Sequence, residues 1–252
     1  MTYNTWKPVP SRQKPEHNRL ISKWEKAKQS VISGTVALND VKTEVNRYYN
    51  VYLFRSMTLT DPKNLSNLGR IRRQVLKDLR DAEAKKNTAM RNSLLGWTGK
   101  SMVKIVSAKN NYHPYARVAA LLTLAELNLR EPTSSGSPLP AEPLHPVLPI
   151  LIKQYDDPAQ VDAVRVAALS GMLRHASLNG QREGSKPIPE KTVRSMQQRM
   201  LKLLGQSDPP EGRSDAGHLW MQRRAVDILA ALGYEGDAGK QVTSALATVV
   251  GD

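Results

Sequence analysis

Apolar residues recur along much of the chain at the three- and four-residue spacing of amphipathic helices. In the N-terminal part this spacing predicts helices from about Glu16 to Gly34, from Asp40 to Met57, and from Asp61 onward. Residues 1–15 contain three prolines and no such period, so we expect them to form an extended arm. The helical pattern weakens only after residues 85–87. Residues 16–99 are therefore predicted to be a helical N-terminal region.

One short frame occurs three times in the second part of the chain. It consists of an Arg, any residue, two small or apolar residues, and then aliphatic residues at helical spacing. The copies begin at Arg117, Arg165 and Arg223. A recurring frame is typical of stacked-repeat proteins. We therefore expect residues 100–252 to form repeats, with helix pairs over about 100–129, 147–176 and 190–233 and a terminal helix at 240–250.

Segments rich in Pro, Gly, Ser and Asp interrupt this pattern. They cover residues 131–146, 179–189 and 205–217, and we expect them to be loops. Ala120 and Ala168 follow the frame arginine in helices that are apolar on most sides, so they are expected where neighbouring helices approach closely. The predicted fold class is all-α: an α-solenoid without strands in the repeats, preceded by a basic helical N-terminal region.

Positive charge is concentrated in the N-terminal part of the chain. The formal net charge is +14, and residues 1–110 hold 22 Lys and Arg against 8 Asp and Glu. Residues 111–252 hold 15 basic and 15 acidic residues. Such an asymmetry favours a partner with an acidic surface.

The helix after Asp61 carries a row of cations on one flank. We call this row the cationic ridge, and it consists of Arg70, Arg73, Lys77 and Arg80. It could bind phosphate or carboxylate groups, or it could be a solvated face whose aliphatic stems cover the rim of the core. Asp78, Asp81 and Glu83 are expected to dilute its charge.

Two other groups in the N-terminal part could contact a polyanion. Lys23, Lys26 and Lys28 are expected off the apolar face of the first helix, which makes them a second candidate polyanion site. Tyr48, Tyr49 and Tyr52 could stack on nucleic-acid bases. The alternative for these tyrosines is that their rings are buried between helices while the hydroxyls stay at the edge.

The sequence contains no common catalytic or cofactor-binding motif. It has no cysteine, which excludes disulfides and thiolate metal sites. The five histidines are scattered, and neither a phosphate-binding glycine loop nor a nucleophile elbow is present. We therefore expect no cofactor, no metal and no enzymatic activity.

No apolar run reaches the ~18 residues that a membrane-spanning helix needs. The polar, proline-rich N-terminal residues do not read as a secretory signal. A cytoplasmic location is therefore expected, and export of a trimmed mature form stays open.

The second part of the chain resembles HEAT repeats, which are paired antiparallel helices joined by a turn rich in Asp and Pro. Residues 156–158 match that turn, and residues 164–168 match the Val-Arg-x-Ala-Ala motif that opens the second helix. Residues 116–120 are similar, and residues 222–226 depart from the motif at the last small residue. The arginine spacings, 48 and 58, exceed the usual ~40–47, and the inserts account for the excess.

The resemblance covers about residues 100–250 and implies an α-solenoid that binds macromolecules and rarely catalyses. In such repeats the frame arginine tends to pair with an acid or a turn carbonyl of the adjacent repeat. We apply this structural role to Arg117, Arg165 and Arg223.

Three functions follow as hypotheses. The first is a non-catalytic scaffold or adaptor that binds a protein partner through helix faces and inserted loops. The second is a nucleic-acid-binding protein that uses the basic N-terminal helices. The third is a HEAT-like DNA glycosylase, for which the candidate patch is Trp220 beside Arg223 and Arg224, near Asp227. The oligomeric state stays open.

Overall fold

The computed structural model describes residues 13–108, 111–133 and 138–233. Of these described residues, 72% are helical and 2% are in strands, so the prediction of a mostly helical chain is confirmed. The described helices are α1 (Lys14–Ile32), α2 (Leu38–Asn46), α3 (Phe54–Ser56), α4 (Pro62–Ser66), α5 (Leu68–Ala84), α6 (Thr88–Ser107), α7 (Pro114–Ala125), α8 (Leu148–Asp156), α9 (Asp162–Ser177), α10 (Glu190–Leu204) and α11 (Asp215–Leu232).

Two termini show how local sequence sets the helices. Asp61 caps α4, because its carboxylate accepts a hydrogen bond from the backbone N–H of Asn64 and Pro62 occupies the first helical position. The helix predicted from Asp61 onward nevertheless breaks at Asn67, whose side-chain amide donates to the Lys63 carbonyl at 2.8 Å. At the N-terminal end, Lys14 and Pro15 already belong to α1, so the extended arm is wrong for these two residues.

The chain divides into two compact units, Met1–Leu124 (unit 1) and Ala125–Asp252 (unit 2). The boundary predicted between residues 99 and 100 falls inside α6, which continues through Gly96 and Gly99. A helix-interior glycine costs about 1 kcal/mol. Burial of Leu94, Thr98 and Met102 along one side of α6 offsets that cost.

Unit 1 is built around a helical core that contains an unusual turn. The single helix predicted from Asp40 to Met57 consists instead of α2, a π-helical segment at Arg47–Leu53, and α3. The wider π turn brings successive side chains towards one face, and Tyr48 and Tyr49 are both buried there. The Tyr49 ring lies 5.9 Å from the ring of Phe54 and 6.2 Å from that of Trp97. The rings of Tyr48 and Tyr49 are therefore buried between helices, as one of the two interpretations of the sequence has it, whereas Tyr52 is half-buried.

In unit 2 the helices form successive pairs. Helix α8 packs on α9, α10 packs on α11, and α9 packs on α11. The pair α8/α9 includes a close approach at Gly171, where an added Cβ would lie 2.7 Å from the Ala125 Cβ and 2.8 Å from the Leu151 Cδ1. Ala168, one turn earlier, is fully buried. Small residues thus let these helix axes approach.

The first insert contains a short antiparallel strand pair that the sequence did not predict. Strands β1 (Asn128–Arg130) and β2 (Glu142–Pro143) pair across the Pro- and Ser-rich segment, and a 3₁₀ turn at His145–Val147 follows. The prediction of repeats without strands, and of a loop over all of residues 131–146, is therefore wrong. The pairing joins residues about a dozen positions apart, so local composition does not reveal it.

Long-range hydrogen bonds hold this insert against the second one. Arg182 donates to the backbone carbonyls of Glu131 and Pro140, at 2.8 and 3.1 Å. The Lys186 N–H donates to the Glu142 carboxylate at 3.2 Å. The first two inserts of unit 2 therefore form one connected surface.

The remaining predicted loops and helices agree with the structure apart from two ends. The helix pair predicted over 100–129 ends early, because α7 stops at Ala125 and residues 128–130 form β1. Residues 179–189 are free of helix and strand, but α11 begins at Asp215, inside the loop predicted at 205–217. Ser214 causes this early start, because its hydroxyl accepts a hydrogen bond from the Gly217 N–H at 3.2 Å. The predicted terminal helix at 240–250 lies outside the described residues.

The close approach at Gly171 generates a stability prediction. Gly171→Ala should lower the free energy of unfolding by about 1–3 kcal/mol, because the new methyl group overlaps Ala125 and Leu151. Urea unfolding followed by circular dichroism measures the change.

Gly99→Ala in α6 is the matched control, since nothing lies within 4 Å of its added Cβ. It should raise the free energy of unfolding by up to about 1 kcal/mol, because alanine loses less backbone entropy in a helix. A Gly171→Ala protein as stable as this control would contradict the close packing.

Candidate functional site

The cationic ridge lies on the exposed side of α5 in unit 1. All four of its members, Arg70, Arg73, Lys77 and Arg80, are exposed. The opposite side of the helix is buried and carries Leu68, Ile71, Val75, Leu76, Asp78, Leu79 and Ala82. Burial of that side therefore turns the ridge residues outward together.

Only one ridge residue is paired with an acid. Lys77 Nζ lies 2.5 Å from Asp81 Oδ2, and this contact raises the pKa of Lys77. Arg70 donates to the side-chain oxygen of Asn67, which carries no charge. Arg73 and Arg80 make no ion pair within the described part of the chain. Three guanidinium groups of the ridge are thus available for an anion.

The acids that the sequence places beside the ridge are mostly engaged elsewhere. Asp78 points into the core, and Glu83 accepts a hydrogen bond from Arg91 of α6 at 2.7 Å. Asp81 alone remains on the ridge side, where it pairs with Lys77. One acid, rather than the three expected from the sequence, therefore offsets the positive charge of the ridge.

A buried polar network lies beneath the ridge. Lys28 of α1 is fully buried, and its Nζ is 3.2 Å from Oδ2 of Asp78. The Tyr49 hydroxyl and the Gln74 side-chain amide donate to the same carboxylate, at 2.8 and 2.9 Å. Lys28 Nζ also lies 4.8 Å from the ring centroid of Tyr48. The network joins α1, the π-helical segment and α5.

Burial and hydrogen bonding act in opposite directions on this carboxyl group. Burial raises the pKa of Asp78, while the Lys28 ammonium and the donors Tyr49 and Gln74 hold it down. Burial also raises the pKa of Tyr49 well above its usual value, with the Asp78 charge adding to the effect. Tyr49 therefore stays a neutral donor to Asp78.

The network corrects two sequence-based interpretations. Lys28 does not belong to an outward lysine group, because it is buried with Asp78. Lys23 pairs with Glu44 at 3.4 Å. Lys26 is thus the exposed member of the group that makes no ion pair among the described residues. The Tyr49 hydroxyl lies in the core rather than at an edge.

The repeat-frame residues occupy different environments. Arg117, Ala120 and Ala168 are buried, Arg165 is half-buried, and Arg223 is exposed. Arg165 donates to the Tyr155 carbonyl at 3.0 Å, which lies in the same helix pair rather than an adjacent one.

One polar contact between successive pairs is made by a residue outside the frame. Arg213, in the third insert, forms a two-pronged pair with Asp162 at the start of α9, with both N···O distances 2.8 Å. Nothing in the repeat pattern marks Arg213, because its partner is 51 residues away. The pairing therefore depends on how the chain folds and not on the local sequence.

Trp220, Arg223, Arg224 and Asp227 form a surface group on α11. The guanidinium carbon of Arg224 lies 5.0 Å from the Trp220 ring centroid, and Nη1 of Arg224 is 2.9 Å from Asp227. Asp227 is half-buried and paired. It is not the buried, available carboxylate that base excision would need.

A histidine pair was missed by the sequence analysis. The Nδ1 atoms of His145 and His175 are 3.1 Å apart, so one ring donates while the other, neutral ring accepts. Burial lowers the pKa of both rings, and that of His175 falls to about 3, with His145 and Arg174 contributing. Within the described residues no three His, Asp or Glu side chains are placed to hold a metal ion.

No family model, curated protein or solved structure matches the chain. The HEAT resemblance therefore stays a prediction. None of the described helices is long and apolar enough to cross a membrane.

The buried network generates a second prediction. Asp78→Asn should lower the free energy of unfolding by about 3–5 kcal/mol, because it leaves the Lys28 ammonium buried without a counter-charge. Lys28→Met should also destabilise, since it leaves the Asp78 carboxylate without a cation. The double variant should lose less than the sum of the two losses, because it buries no charge. Urea unfolding of the four proteins measures this coupling, and additive losses would contradict the ion pair.

The histidine pair generates a third prediction. The folded-state pKa of His175 is about 3, below the ordinary 6.5, so the unfolded chain takes up a proton first as the pH falls. His175 should therefore remove stability from pH 6.5 downward, by up to about 1.4 kcal/mol per pH unit until its folded pKa is reached. His175→Gln should show a shallower loss of unfolding free energy between pH 6.5 and 4.5. Equal slopes in urea unfolding would argue against a buried neutral His175.

Proposed function

We propose that the chain is a non-catalytic binding protein whose unit 1 binds the phosphate backbone of nucleic acid along α5. The observation that carries this proposal is the distribution of charge. Residues 1–124 hold 23 Lys and Arg against 8 Asp and Glu, a net charge of +15, whereas residues 125–252 hold 14 against 15, a net charge of −1. The basic excess of the whole chain thus belongs to the unit that carries the ridge.

The chemistry of the ridge favours phosphate over scattered carboxylates. Three of its four members are arginines, whose planar forks suit the oxygens of phosphate. The ridge spans eleven residues, a rise of about 15 Å along the helix, with a cation at every turn. A duplex offers one negative charge per about 1.7 Å of its axis, so one backbone can engage several ridge residues at once.

The buried network supports this function by holding the ridge in place. Lys28 and Asp78 restrict the rotation of α5, because turning the helix would separate two buried charges. A surface that is ordered before binding loses less conformational entropy when the partner arrives.

The test is a salt titration of binding to labelled duplex DNA and duplex RNA. Each phosphate contact contributes about 0.9 to the slope of log affinity against log salt on duplex DNA. Changing Arg70, Arg73, Lys77 and Arg80 to Gln should lower the slope by about 3 and weaken binding equally across sequences, since phosphate contacts carry no base information. Glutamine is a good helix former, so the fold should survive.

The matched control removes four exposed cations of unit 1 that lie outside α5. These are Lys42, Arg55, Lys100 and Lys104. The control should keep most of the wild-type slope. Equal losses in both variants would mean that net charge, and not the ridge, attracts the polyanion. A wild type that does not bind at low salt would eliminate the nucleic-acid function.

A second candidate function is supported by the helix pairs of unit 2. The contacts of α8 with α9, α10 with α11, and α9 with α11 suit a HEAT-like stack, and the first two inserts form a connected surface beside it. This supports a scaffold that binds a protein partner through helix faces and inserted loops. The two candidates involve different units of the same chain.

A further inference from the structure

The outward side of α11 combines apolar and cationic side chains. Leu219 is 60% exposed and Trp220 is 37% exposed, although both belong to a regular helix of unit 2. Arg223 and Arg224 follow one turn later, so each lies beside one of these apolar residues at the four-residue helix spacing. The opposite side of α11 is buried in unit 2 through His218, Met221, Gln222, Ala225, Ile228 and Leu229. We call the outward group, Leu219, Trp220, Arg223 and Arg224, the α11 patch.

Contacts on α11 fix the orientation of the Trp220 ring. The Arg224 guanidinium lies over the Trp220 ring, 5.0 Å from its centroid, and Asp227 holds that guanidinium at 2.9 Å. Arg223 is exposed and makes no ion pair in the part of the chain that the structure describes. The patch therefore offers an ordered aromatic ring, a neighbouring leucine and one available positive charge.

We propose that the α11 patch is a docking surface for a protein segment that carries an apolar anchor residue beside an acidic one. The proposal rests on the second candidate function, a protein-binding role of unit 2. The anchor covers Leu219 and Trp220, and the acidic group pairs with Arg223. Trp and Arg are the residue types that most often dominate binding energy at protein interfaces.

Charge and apolar exposure favour this occupant over two others. A nucleic acid has no aliphatic side chain to cover Leu219, which is 60% exposed, and Arg223 alone would give its backbone a single charged contact. A second copy of the chain related by two-fold symmetry would bring the same patch onto itself. The patch holds two arginines and no acid of its own, so the second copy would bring no acidic partner from this patch to Arg223.

The experiment uses two fluorescein-labelled helical peptides of 16 residues, built from Leu and Glu or from Leu and Lys at the same positions. Fluorescence anisotropy of the full chain is measured at about 0.3 M salt, which screens weak long-range attraction to unit 1. Wild type should bind the acidic peptide at least about tenfold more tightly than the basic one. Trp220→Ala and Arg223→Glu should each weaken binding of the acidic peptide about tenfold or more.

Matched controls address charge and exposed apolar area separately. Lys202→Glu makes the same charge change as Arg223→Glu on the exposed side of α10, and Leu139→Ala removes an exposed leucine from the first insert. Both controls should bind the acidic peptide like wild type. Because Trp220 and Arg223 are exposed, their variants should keep the wild-type thermal midpoint, which shows that they are folded.

Several results would overturn the proposal. One is unchanged binding of the acidic peptide to Trp220→Ala and Arg223→Glu together with loss of binding in the ridge variant, which would place the peptide on unit 1. A second is that wild type binds neither peptide. A third is that wild type sediments as a dimer and Trp220→Ala abolishes the dimer. A fourth is that Trp220→Ala loses binding of a single-stranded oligonucleotide but still binds the acidic peptide. A pull-down separates this proposal from the scaffold function on which it rests. If the patch variants recover the same proteins as wild type, the scaffold function is retained and only the α11 patch is excluded as its docking surface.

Discussion

The buried ion pair between Lys28 and Asp78 fixes how α1 and α5 meet in unit 1. Moving two charges out of water costs several kcal/mol each, and only close pairing with further hydrogen bonds offsets that cost. The donors Tyr49 and Gln74 supply those bonds, and Tyr49 comes from the π-helical segment. These contacts therefore fix the rotation of each helix about its own axis and the position of α1 along α5. The ion pair thereby adds to the burial of the apolar side of α5, which turns the cationic ridge outward.

The charge of the ridge follows from the same constraint. A count along α5 sets three acids against the ridge, yet Asp78 is used in the core and Glu83 is used by Arg91. The surface of α5 is consequently more basic than its sequence suggests. The effect has a simple physical origin, because an acid neutralises only the cation that it can reach. Once each acid is assigned to its partner, only Lys77 has its charge offset by an acid among the described residues, and three guanidinium groups of the ridge are available.

Local signals in the sequence were enough for most helices and for the cap at Asp61, since periodicity and capping act over a few residues. Features that depend on distant partners were not predicted. The π-helical segment, the burial of Lys28, the strands β1 and β2 and the pairing of Arg213 with Asp162 belong to this group. The outward direction of the ridge was predicted because burial of apolar residues determines it. The α11 patch was seen in part, as a tryptophan beside arginines, whereas the exposure of Leu219 required the packed helix.

The two units handle charge differently, and this difference limits what each can bind. In unit 2 the 14 basic and 15 acidic residues nearly balance, and pairs such as Arg199 with Asp156 and Arg213 with Asp162 form between them. Unit 1 cannot do so, because its 8 acids leave a net charge of +15 on its 23 cations. An unpaired charge is too costly to bury, so the excess must face solvent or an anionic partner. The repulsion among those cations destabilises the compact unit. A bound polyanion would remove that repulsion, so folding and binding in unit 1 favour each other.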